Sequence, residues 1–404
     1  MTVFHNSVRC LVEVIVEVVV WQLLIEYIDS DTTIMVVMMA MMMTVIMTML
    51  MVAMASSGDR DYHYSYCLEN CHGQCYSSSS DNDSDSDRMK RHEEIYSEIY
   101  QDIHYYHNNS SSSMYSNIFH WPEWTCVDMC KYMCMHVVTN NRKQLGYPIL
   151  KYYGHWPFIR YMGLEEPASV AFSMLNALPH VIFIILTLSR SSINKQIPSL
   201  SLWSYSPNYY MRPWLLFYPI LALLSWTSAV VFHAKKTVLT SSIDYLTAFV
   251  FIFYAFWIAL RRVWGRRANP YLVSLSFVIL VMLCCYRVYM MITDRVSFDN
   301  HMKLSISLAI CSVVIWNTWI FVLSKKEDDV INKTKYHRKW LCFWCQLLFC
   351  FASLLEIFDF PPYYGIFDAH SLWHASTVPL AFIWYHFWYR DSIESATPVK
   401  YKNT

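Results

Sequence analysis

From residue 167 onward the chain alternates long apolar runs with short polar breaks. Each run is close to the roughly 20 residues a helix needs to cross the hydrocarbon core. Seven such runs lie at about 168–188, 213–232, 244–260, 271–292, 304–323, 340–358 and 370–389. Tyr and Trp crowd their ends, where interfacial aromatics sit. The pattern predicts an all-α membrane protein whose 167–391 part is a seven-transmembrane helix bundle, followed by a short tail, 392–404.

One further apolar stretch, 34–55, reads differently. It ends Ala53-Met54-Ala55 ahead of Ser56-Ser57-Gly58, a small-residue pattern that suits signal peptidase, and 1–55 is therefore read as an N-terminal extension with a cleaved signal. An uncleaved anchor is the alternative, because Asp29 and Asp31 make the leading region acidic. The segment that follows, 56–166, is polar and carries Cys67, Cys71 and Cys75, then Cys126, Cys130 and Cys134, in two C-x3-C-x3-C triplets. After a signal this reads as a disulfide framework in an oxidising lumen, with the connectivity open and a zinc cluster as the competing reading. The Ser/Asp run of 77–87 is a solvated insertion, and sequons at Asn82, Asn108 and Asn109 fit lumenal exposure.

Composition agrees with a membrane chain: 55% of residues are hydrophobic and 17% aromatic against 15% charged, too apolar for an ordinary soluble domain. The formal net charge is +0, and no basic stripe with interleaved aromatics points to nucleic acid. Local charge is more informative, since cytosolic loops collect Lys and Arg. Arg190, Lys195 and Arg212, then Arg261, Arg262, Arg266 and Arg267, then Lys325, Lys326, Lys333, Lys335, Arg338 and Lys339 lie on one side. The opposite loops hold only Lys235 and Lys236, then Arg295 and Lys303. This places the cysteine region in the lumen and the C-terminus in the cytosol, where the sequon at Asn332 would go unused. The ending Lys400-Tyr401-Lys402-Asn403-Thr404 resembles an early-secretory retrieval tail.

The candidate chemistry sits at the lumenal ends of the spans. His233 closes the second, Asp244 opens the third, and Asp368, His370 and His374 surround the start of the seventh. Residues 370 and 374 are one helical turn apart and can grip one metal ion. A third imidazole leaves a tetrahedral position for water, the catalytic rather than the structural zinc pattern. Each residue alone has a blander reading: an interfacial His, or an Asp that caps a helix. Their joint placement on one side favours function, because ionisable groups near a membrane are costly.

Several motifs carry a resemblance. Gly154-His155-Trp156-Pro157-Phe158-Ile159-Arg160 and Gly163-Leu164-Glu165-Glu166-Pro167-Ala168-Ser169 lead into the first span; Trp124-Thr125-Cys126-Val127-Asp128-Met129-Cys130 lies upstream; Phe358-Asp359-Phe360-Pro361-Pro362 runs toward Asp368-Ala369-His370-Ser371-Leu372-Trp373-His374. Over about residues 67 to 391 these resemble the post-GPI-attachment-to-proteins factor 3 family, also called Per1-like, within the CREST superfamily of seven-span membrane hydrolases. The resemblance implies remodelling of GPI anchors in the Golgi or endoplasmic reticulum membrane. The unsaturated sn-2 acyl chain would be removed from the phosphatidylinositol of GPI-anchored proteins by zinc-dependent ester hydrolysis. It further implies zinc ligands His233, His370 and His374, an acid/base at Asp244, and at Asp368 a carboxylate that orients a ligand imidazole.

The chain departs from that family at one position. Relatives carry Ser four residues before the first His, where it can help stabilise the oxyanion, and this sequence has Ala229 there; the nearest hydroxyls are Ser228 and Thr227. One residue on a helix turns a side chain by about 100°, so Ser228 takes the family serine's role only through a local shift or bulge. The loop after His233 also reads Ala234-Lys235-Lys236 where relatives usually show Thr-Arg-Asp. Two other functions fit part of the pattern: a ceramidase-like amidase, and a receptor-like seven-span protein with a structural zinc. A transporter would need polar residues deep within several spans.

Overall fold

The computed structural model describes residues 57–77, 122, 124–188, 205, 209–265, 268–293, 298–323 and 336–396. The signal stretch 34–55, the sequons at Asn82, Asn108, Asn109 and Asn332, most of the Ser/Asp run and the tail from 397 lie outside them. Among the described residues there is no strand, only three isolated antiparallel bridges. The helices are α1 (Tyr62–Ser77), α2 (Cys126–Gln144), α3 (Pro167–Leu188), α4 (Arg212–Ala234), α5 (Val238–Trp264), α6 (Pro270–Ile292), α7 (Phe298–Thr318), α8 (Tyr336–Phe358) and α9 (Ala369–Ala396).

Local chemistry sets where they begin. Thr237 and Thr240 exchange capping hydrogen bonds at the start of α5, as Thr125 and Asp128 do for α2. Proline occupies the first turn of α4 and of α6, where its missing N–H has no helical partner to lose. The caps correct one expectation. Hydropathy predicts the third span from 244, but α5 starts at Val238, because its first turn is polar enough to escape a hydropathy reading yet well capped. Asp244 therefore stands inside the helix and does not cap it.

Six of the long helices, α3 to α8, contain stretches long and apolar enough to cross a membrane. The seventh expected span, α9, is 28 residues long and packs along α3 and α8, but its first turns carry His370, Ser371, His374, Ser376 and Thr377. α3 packs on α4 and α9, α4 on α5, and α5 on α7. α6 is peripheral, and its exposed Leu272, Leu275, Val278, Ile279 and Met282 offer the all-apolar face that lipid demands. The bundle core is aromatic: Trp257, Trp316, Trp319, Tyr385, Phe387 and Trp388 form one buried cluster with Phe183 and Phe249.

Two polar assemblies tie the bundle at its ends. Away from the histidines, the fully buried Asp391 accepts from Arg262 through Nε and Nη2, both at 2.8 Å, from Arg338 Nη1 at 2.9 Å, and from the Tyr209 hydroxyl. At the histidine end lies a cap built on α1 and α2. Spacing of four places the cysteines on one face of each helix, and the two helices run antiparallel, so that Cys67 bonds Cys134 and Cys71 bonds Cys130. Cys126 is also disulfide-bonded, while the side chain of Cys75 lies outside the described residues.

The segment after α2 docks this cap onto the bundle. Ile159 N–H donates to Gly365 O at 2.8 Å, Trp156 Nε1 donates to Asp359 Oδ1 at 2.9 Å, and Lys151 pairs with the same carboxylate. Gly365 has φ +70°, and a Cβ there would lie 2.6 Å from Ile159, so both backbone and space call for glycine. The Arg160 guanidinium stacks 3.4 Å from the Trp124 ring and 4.3 Å from that of Tyr132.

Candidate metal centre

The last turn of α4 delivers His233, and the first turns of α9 deliver His370 and His374 from one helix face. His370 Nε2 lies 3.3 Å from His233 Nε2 and 2.9 Å from His374 Nε2. The ligating nitrogens of all three lie within 4.8 Å of one another. Zn–N bonds of about 2.0–2.1 Å at a tetrahedral angle hold two nitrogens about 3.3 Å apart. The cluster thus has the donor type, number and spacing of a three-nitrogen zinc site.

Ligand imidazoles usually pass their other ring proton to a second group, which sets tautomer and orientation. Two do so here. His233 Nδ1 lies 2.5 Å from Glu166 Oε2, and His370 Nδ1 lies 2.6 Å from Glu356 Oε1. Glu166 is buried and also paired with Lys236. Burial alone would push its carboxyl up, but the Lys236 ammonium and the His233 hydrogen bond outweigh burial and hold it well below the usual carboxylate range. His374 Nδ1 is buried with no hydrogen-bond partner. The two carboxylate pairs differ in exposure. His233 and Glu166 are enclosed, whereas the side chains of His370 and Glu356 are 36% and 38% exposed, so the centre opens along that edge.

Ser228 and Asp244 form a second group beside the histidines. The Ser228 hydroxyl lies 3.3 Å from Asp244 Oδ1, 2.5 Å from Thr247 Oγ1 and 2.8 Å from Ser225 O. Asp244 is close enough to His370 to interact with its charge. α4 is an uninterrupted α-helix here, so no bulge restores the family register. Five residues separate Ser228 from His233, which sets them about 140° apart around the helix. Ser228 accordingly faces α5, Thr227 is exposed, and the buried Ala229 occupies the direction nearer the histidine.

Asp368 is engaged elsewhere. Its Oδ1 accepts from Ser371 N at 2.8 Å while its own N–H donates to Ser371 Oγ at 3.0 Å, which caps α9 and aims its first turn. The carboxylates that hold imidazoles are Glu166 and Glu356, and neither was singled out by spacing. The signals were there: Glu356 is a lone ionisable residue within an apolar run, and Glu166 abuts Pro167 at a helix start. His155 is a fourth nearby imidazole. Burial, followed by the adjacent Lys236 charge, pushes it down to about 3.

The chain matches the Per1-like family over residues 114–392. It is 31% identical over 270 residues to a Danio rerio protein named GPI-specific phospholipase A2-like PGAP3, covering 67% of this chain and 78% of the relative. A Drosophila melanogaster protein named post-GPI attachment to proteins factor 3 is 29% identical over 273 residues, covering 68% and 76%. The Homo sapiens GPI-specific phospholipase A2-like PGAP3 is 29% identical over 270 residues, covering 67% and 77%. No solved structure matches the chain significantly.

Proposed function

We propose, from the premise that this chain belongs to the Per1-like family, that it is a hydrolase of GPI-anchor lipid that removes the sn-2 acyl chain by metal-dependent ester hydrolysis. The observation that carries this reading is the convergence of three ring nitrogens, two of them backed by carboxylates, beside a Ser–Asp pair. Zinc bound there would supply Lewis acidity and a water of lowered pKa.

The remaining roles belong to the chain. Glu166 and Glu356 accept the Nδ1 protons of His233 and His370, so that both Nε2 lone pairs point inward. Asp244 takes a proton from the attacking water and returns it to the leaving glycerol oxygen. Water and ester thereby become a free fatty acid and a lyso-lipid. Ser228, donating to Asp244, keeps that carboxylate turned to the centre. The His370–Glu356 edge gives the ester its approach from the bilayer. Exposed Phe358, Tyr363 and Tyr364 flank the same end and suit the headgroup level, where an sn-2 ester lies.

By the cation asymmetry of the loops this end is lumenal, and by the family resemblance the enzyme works in Golgi or endoplasmic reticulum membranes. The GPI-anchored protein would meet the stapled cap. The test is lipid mass spectrometry of GPI anchors from cells that lack the native factor, rescued with this chain or its His370→Ala form. The wild-type chain should restore saturated anchors and the variant should not; equal rescue by both rules out the metal mechanism.

A further inference from the structure

Glu166, just before α3, and Ser169, Ser173, Asn176 and His180 along it recur at alternating spacings of three and four residues, so they share one helix face. All five are buried, with exposures between 0% and 4%. Three have partners across the bundle. Glu166 meets His233; Asn176 Nδ2 donates to His374 O at 2.7 Å while Thr377 Oγ1 donates to Asn176 Oδ1 at 3.2 Å; and His180 Nδ1 lies 2.6 Å from the Tyr385 hydroxyl. The hydroxyls of Ser169 and Ser173 have none, and neither has His374 Nδ1.

Helix geometry sets the Ser173 hydroxyl and His374 Nδ1 at about one level. α3 and α9 both start at the metal end and run side by side, with Asn176 level with the His374 carbonyl. Ser173, three residues earlier, stands about 4.5 Å nearer the metal end. Helical side chains tilt toward their own N-terminus, so the His374 ring also projects that way from its carbonyl. Buried polar atoms are almost always hydrogen-bonded, and buried waters serve this purpose where several polar atoms converge.

We propose that Ser173, with Ser169 one turn nearer the metal end, holds a buried water that accepts the Nδ1–H of His374. The third imidazole is then oriented from α3 through water, as the other two are oriented by carboxylates. Ser173 is a positioning residue, and the inference rests on the reading that the three histidines hold zinc.

The test uses the full chain in lipid nanodiscs, with zinc content by mass spectrometry, zinc affinity by chelator competition, and unfolding temperature of the zinc-free protein. The wild-type chain should bind one zinc. Ser173→Val should weaken zinc binding about 10- to 100-fold, the usual effect of losing a group behind a ligand. Its zinc-free unfolding temperature should hold, and Ser173→Thr, which keeps the hydroxyl, should recover affinity. Wild-type affinity in Ser173→Val, or a loss that only follows a fall in zinc-free stability, overturns the inference while leaving the metal centre standing. A wild-type chain without zinc overturns the metal reading itself.

Discussion

Glu166 Oε2 lies 2.5 Å from His233 Nδ1, and its other oxygen is held by Lys236, so one buried carboxylate joins an ion pair to the histidine cluster. Lys236 and its neighbour Lys235 stand just after His233, and Lys235 reaches Asp128 in the stapled cap at 3.3 Å. These two lysines thus tie cap, carboxylate and imidazole together. Glu166→Gln should cut zinc affinity about 10- to 100-fold, because the amide is a weaker acceptor for the Nδ1 proton. Chelator competition reads this directly; an affinity equal to wild type would show that Lys236, not His233, is the reason for the carboxylate.

Ser228 and Asp244 test the reaction itself. A hydrogen bond to a charged group is worth about 1.5–3 kcal/mol, so Ser228→Ala should lower acyl release by roughly 10- to 150-fold. Thr227→Ala should leave it near native, since that side chain is exposed. Asp244→Asn should cost more, about 10²- to 10⁴-fold, as the loss of an acid/base does. Release of labelled fatty acid from a purified GPI lipid measures all three. Near-native activity in both hydroxyl variants would remove Ser228 from the mechanism.

Much of this was legible from residues alone, for identifiable reasons. A helix must be apolar for about 20 residues to cross a bilayer, which makes spans visible as runs. His370 and His374 are visible as a pair because one helical turn fixes their relation. Glu166 and Glu356 were missed because their partners, 67 and 14 residues away, are brought to them only by packing. Asp368 misled for the complementary reason: proximity in sequence to His370 suggested contact, whereas a residue just before a helix caps it. Ala229 announced that the family serine was displaced, and only the packing of α4 on α5 shows that the neighbouring hydroxyl meets Asp244.

The end of the bundle opposite the histidines should be a stability determinant with no direct part in catalysis. Asp391 is enclosed and takes three hydrogen bonds from Arg262 and Arg338. Removing one partner of a buried ion pair leaves charge uncompensated and costs about 3–5 kcal/mol. Asp391→Asn should lower the unfolding temperature of the detergent-solubilised protein sharply, while the fraction that remains folded keeps its zinc stoichiometry. Loss of zinc at unchanged unfolding temperature would instead mean that the far end communicates with the metal centre.

The cap should give the protein a distinct pH response. His136 on α2 is buried, with Nε2 2.9 Å from Phe158 O, and burial pushes it down to about 4 from the ordinary 6.5. The unfolded chain therefore binds this proton more readily than the folded one. Stability from His136 is fully present above pH 6.5 and is lost as pH falls from there through 4, by on the order of 3 kcal/mol in total. Asp128, held low by Thr125 and Lys235 against the opposing effect of burial, acts in the same direction at lower pH. The His136→Gln variant keeps an Nε2–H donor for the carbonyl but has no proton to gain. Its unfolding temperature should fall less than that of the wild type between pH 6.5 and 4.5, and the gap between the two curves isolates the histidine. Parallel curves would place the acid sensitivity of the cap in other groups.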